Sequence, residues 1–80
     1  MTYEIRTSAE RKQLWADCLD AVRGMSDQEL DSAEDEHNLK AEMYRTYVKF
    51  GLERPAHLQD FISTRTAWRR AFRIAREERS

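Results

Sequence analysis

Eighty residues with 40% apolar and 36% charged side chains, two glycines and one proline are too apolar for a disordered chain and too rich in helix formers for a β domain. At 9.6 kDa the folded surface scales to ~5,100 Å² against ~13,900 Å² for the extended chain, which supports one marginal core and leaves little room for a deep, dry catalytic cleft. The formal charge is −1 with 15 acids and 14 bases, yet the two signs are segregated along the chain.

No apolar run approaches the ~20 residues of a membrane span. The opening residues Met1-Thr2-Tyr3-Glu4-Ile5-Arg6 lack the apolar stretch of a signal peptide. Cys18 is the single cysteine, so there is no internal disulfide framework and a reducing cytoplasm is expected. The expectation is an all-α protein, one compact domain over residues 1–80 built as a bundle of three or four helices, with residues 1–6 as an N-terminal arm.

A first helix is predicted from Thr7 or Ser8, where Thr7 and Glu10 have the spacing of a capping box. Leu14, Trp15, Cys18, Leu19 and Val22 then form one apolar stripe, and Gly24 is the expected stop in a left-handed conformation.

The second helix has the clearest start in the chain. Ser26 caps, Glu29 reaches back, and Met25 and Leu30 supply a hydrophobic staple. The early acids suit the positive end of the helix dipole. Leu39, Met43, Tyr47 and Phe50 make a stripe, so the core is expected to grip residues 39–50, with residues 31–38 projecting into solvent. A kink near His37-Asn38 is allowed, and Gly51 is the predicted end.

Pro55 opens the third helix, because a missing N–H costs nothing in a first turn. Leu58, Phe61 and Ile62 begin its stripe, and Trp68, Ala71, Phe72 and Ala75 continue it. Ser63-Thr64 either breaks this segment into two helices or is absorbed into one; the helical spacing allows both.

Residues that could do chemistry are few. Glu34-x-x-His37 sets a carboxylate and an imidazole one turn apart, but helical metal sites need that unit twice and further carboxylates, so no metal is expected and His37 reads as a solvated helix residue. His57 reads as a surface or cap residue. Cys18 lies mid-helix in an apolar stripe, where a thiol behaves as a small hydrophobe. No glycine-rich loop exists to cradle a phosphate. An enzyme is not expected, nor a cofactor.

The charge pattern carries the functional reading. Six acids and no base lie between Asp27 and Glu36, including Asp31, Glu34 and Asp35. Residues 65–80 hold six arginines against Glu77 and Glu78, a charge of +4, so residues 1–64 carry −5. On a helix, Arg65, Arg69, Arg73 and Arg76 fall on one ridge beside Arg70, and guanidinium forks match carboxylates or phosphates. The two regions could simply attract each other within the fold. They could equally meet a partner, and Arg65, Arg69, Arg70, Arg73 and Arg76 on one patch and Asp31, Glu34 and Asp35 on the other are the candidate binding residues. One or two of Tyr44, Tyr47, Trp68 and Phe72 are candidates for an interface.

The reading that follows is a cytoplasmic adaptor, regulator or inhibitor that docks on a larger protein or complex through charged helix faces. Spaced carboxylates on a rigid helix can also imitate a phosphate backbone. The alternative is a nucleic-acid-binding regulator using the arginine helix; a pI near 6.1 and the absence of lysine after Arg54 argue against it. A homodimer is conceivable, with the arginine ridge of one copy on the acid ridge of another. A membrane partner is not expected.

Overall fold

The computed structural model describes residues 6–80, and residues 1–5 of the expected arm lie outside them. Among the described residues the chain is all-helical, with α1 at Ser8–Arg23, α2 at Asp27–Lys49 and α3 at Ala56–Arg79. α1 and α2 each pack on α3 far more extensively than on each other, so α3 is the shared support.

Both predicted capping boxes form. Thr7 accepts from the Glu10 N–H while the Glu10 carboxylate accepts from the Thr7 N–H, and Ser26 and Glu29 repeat the arrangement. The bonds satisfy amides left unpaired in each first turn, and they hold both glutamates below the usual carboxylate range.

α2 ends as its sequence predicts. Gly51 takes φ 66°, its N–H reaches Val48 O at 3.1 Å, and the Leu52 N–H reaches Tyr47 O at 2.9 Å. This is a Schellman motif, and it needs a residue free to enter the left-handed region. α1 does not end that way. Gly24 is right-handed, at φ −82° and ψ −4°. The physical reason is that the last carbonyls of α1 find other donors: Val22 O accepts from the Met25 N–H at 3.1 Å and from Arg79 Nη2 at 3.2 Å.

α3 runs unbroken through Ser63-Thr64, so the fourth helix does not arise among the described residues. Ser63 Oγ donates to Asp60 O at 2.7 Å and Thr64 Oγ1 to Phe61 O at 3.2 Å, so both hydroxyls fold back onto the helix instead of interrupting it. Pro55 stands one residue before the first turn, as the cap. Arg6 Nη1 donates to Ser63 O at 3.0 Å and ties the approach to α1 to the middle of α3.

The core joins Cys18 and Val22 of α1, Leu30 of α2 and Ala67, Ala71, Phe72 and Ala75 of α3, with Leu14, Trp15, Leu19, Met25 and Trp68 packed around them. Ala67, Ala71 and Ala75 recur every fourth residue, a low ridge that lets α1 approach closely. Val22, Leu30 and Leu58 are sealed completely, each contributing roughly 1.5–3 kcal/mol of transfer free energy.

The expectation for α2 is overturned. Its buried line is Leu30, His37 and Ala41, so residues 31–38 do not project into solvent as a block. Leu39, Met43 and Phe50 of the predicted core stripe are 61%, 39% and 66% exposed. The helix is continuous through His37-Asn38 and carries two lines on opposite sides, and the one with Leu30, His37 and Ala41 is the one that meets α3. That line is buried because Leu30 enters the shared core and the His37 ring packs against Phe61 and Phe72 of α3.

Candidate docking surface

The acidic start of α2 and the arginine end of α3 lie side by side. Arg76 bridges Asp31 and Glu34, the latter at 2.8 Å, and Arg79 meets Asp27 at 2.7 Å. Arg79 also donates to Met25 O at 2.7 Å, and Arg23 of α1 forks onto Glu78 of α3. These side chains are mostly exposed, so the pairs align the helix ends more than they stabilise them. The bidentate contacts hold Glu78 below the usual carboxylate range through its bond to Arg23.

The predicted arginine ridge therefore divides. Arg76 is occupied inside the chain by Asp31 and Glu34. Arg70 is half-buried with its guanidinium 4.9 Å from the Trp15 ring on the α1 side. Arg65 is half-buried, 5.8 Å from the Phe61 ring, with Nη1 3.4 Å from His37 Nε2. Burial, then the charges of Arg69 and Arg45, make its protonated form less favourable than usual. Arg73 makes a solvent-exposed pair with Glu77 one turn on, at 3.4 Å. Arg69 is exposed and, among the described residues, is in no ion pair; the same holds for Asp35.

Arg69, Arg70 and Arg73 of α3 and Glu34, His37 and Asn38 of α2 line an open groove of about 480 Å³. A second crevice of about 240 Å³ lies on the other side of His37, between Glu36, Lys40, Phe61 and Trp68. His37 is thus the spacer between α2 and α3. It is buried, not solvated as its sequence context predicts, and its ring lies 4.7 Å from that of Phe61 and 5.6 Å from that of Phe72. Burial chiefly, then Arg65, Arg69 and Lys40, push its pKa below the ordinary value, against a weaker opposing pull from Glu34.

Sequence reasoning passed over two things. One is His37, whose signal is its place on the line Leu30–His37–Ala41–Tyr44–Val48, spaced 7, 4, 3 and 4. The other is the outward line of α2, read as core because Leu39, Met43, Tyr47 and Phe50 form an apolar stripe. His57 is exposed in the first turn of α3 and Cys18 is buried, both as expected. Burial raises the Cys18 pKa, with Asp17 adding to the effect, which suits a packing role. Among the described residues no three His, Cys, Asp or Glu side chains stand close enough to hold a metal, and no helix is long and apolar enough to cross a membrane.

No family model matches the chain, and comparison with curated proteins and with solved structures returns no match.

Proposed function

We propose that this chain is a non-catalytic cytoplasmic docking module, an adaptor, regulator or inhibitor in which a small helical bundle presents the α3 arginine row to an acidic surface on a larger protein. The observation that carries the reading is the imbalance left after internal pairing. Asp27, Asp31 and Glu34 are engaged by Arg79 and Arg76, whereas Arg69 is in no ion pair among the described residues and Arg73, one turn on, makes only an exposed pair with Glu77; both line the groove with Asn38 and Thr66. Guanidinium forks on a helix recognise carboxylates in pairs. The role of Asp31 and Glu34 in this reading is to fix the end of α3 through Arg76; Asp35 stays free to meet a base on the partner.

The experiment is capture from native lysate with the tagged chain and with its Arg69→Glu/Arg73→Glu variant, each with and without nuclease. The expected result is a partner that survives nuclease and is lost with the variant. A partner set that vanishes with nuclease makes nucleic acid the target, and log K should then fall by about 0.9 per phosphate neutralised as log salt rises. A partner set identical for both proteins contradicts the proposal.

A further inference from the structure

The outward line of α2 runs Leu39, Met43, Thr46, Phe50, a spacing of 4, 3 and 4 that matches the seam of a coiled coil. It lies on the side of the helix away from α3. We propose that this line is a self-association face on which α2 of one copy pairs antiparallel with α2 of a second copy.

Three observations specify that occupant. The apolar pattern is self-complementary in the antiparallel sense. Setting Leu39 against Phe50 of a second copy sets Met43 against Thr46, and the two-fold axis repeats both layers. The charges agree with that register. Glu42 and Lys49 stand on the same flank of the seam, seven residues apart, so each Glu42 faces Lys49 of the other copy, twice over. A parallel alignment puts Glu42 beside the Tyr47 flank and makes no such pair. Finally, neither group is locked away: Glu42 makes one exposed pair with Arg45, and Lys49 reaches over Phe50 at 5.7 Å to the ring centroid.

The area sets the strength. A helix face of this length offers a few hundred Å² per copy, short of the ~800 Å² each partner gives to a standard interface, so the dimer is weak and reversible. The face is separate from the Arg69–Arg73 groove, and the inference does not depend on the docking role.

Sedimentation velocity across a concentration series tests it. The wild-type chain is expected to dimerise with a dissociation constant between about 1 µM and 1 mM. Leu39→Glu and Phe50→Glu should abolish the dimer while helix content and thermal midpoint stay as in wild type, since both positions are exposed. Glu42→Lys alone and Lys49→Glu alone each oppose like charges twice and should weaken it roughly tenfold. An equimolar mixture of those two variants should restore wild-type association. One variant then carries bases at both positions and the other acids at both, so each of the two contacts again joins opposite charges. A chain that stays monomeric at ~1 mM overturns the proposal. So does association that survives Leu39→Glu, or a mixture no tighter than either variant alone.

Discussion

Along one side of α3, Ala67, Ala71 and Ala75 let α1 come close over Cys18 and Val22, with Trp15 and Leu19 closing the seam. Along the other, Phe61, Phe72 and the imidazole of His37 stand between α2 and α3, and an open space lies on each side of that imidazole. The first seam is held by close apolar packing. The second is held by a few buried side chains, one of them titratable, and by exposed ion pairs at one end. Dispersion and burial act over the whole of a close seam, whereas exposed ion pairs contribute little each and are screened by salt. The looser seam also borders the arginine groove, and α2 carries the outward apolar line on its far side.

The largest expected effect separates the two apolar lines of α2. Leu30→Ala, at a fully sealed position, should cost about 3 kcal/mol in urea unfolding, a large share of the stability of so small a domain. Leu39→Ala, on the opposite line, should fall within about 0.5 kcal/mol. Equal costs at both sites would reverse the assignment of the buried face.

The second test uses pH to probe the α2 seam alone. His37 has a lowered pKa in the fold, so between its folded and unfolded values the unfolded chain binds more protons and stability rises with pH. Its contribution is complete above about pH 6.5 and is lost as the pH falls below that, until the folded ring also protonates. Urea midpoints measured from pH 7.5 to about pH 5 should therefore decline, and His37→Leu should remove most of that decline. The groups facing the ring are Arg65 and Arg69 of α3 and Glu34 and Lys40 of α2. An identical decline in the variant would place the titration elsewhere.

A smaller effect distinguishes the two helix ends. Gly51→Ala forces an L-residue to φ 66° and should cost about 1 kcal/mol. Gly24→Ala meets only ordinary contacts at 3.7 and 3.8 Å in a right-handed conformation, and should gain about 0.5 kcal/mol. Thermal midpoints moving in opposite directions check both. A loss at Gly24 would mean that its end relies on a left-handed residue after all.

The helix starts were legible because capping is local: Thr7 with Glu10 and Ser26 with Glu29 need no knowledge of the rest of the chain. The end at Gly51 was legible for the same reason. The burial of α2 was not. Two apolar lines on one helix have the same period, and which one meets α3 depends on backbone approach, a property of the pair of helices. The continuity of α3 at Ser63-Thr64 was undecidable locally, since those hydroxyls serve equally to cap a new helix or to bond back into an old one. Arg65, Arg69, Arg73 and Arg76 share α3 as their spacing implied, but the capture of Arg76 by Asp31 and Glu34 and the approach of Arg65 to His37 depend on how α2 lies against α3. The segregated charge was visible in the sequence; how much of it would be paired internally was not.

Hydrogen exchange read by mass spectrometry on the dilute monomer tests the contrast between the two seams most directly. The amides around Cys18, Val22, Ala71 and Ala75 should exchange last, and those of residues 42–50 well before them. Raising the protein concentration should then slow residues 39–50 selectively. Residues 42–50 exchanging as slowly as the α1–α3 seam in the dilute monomer would contradict the account.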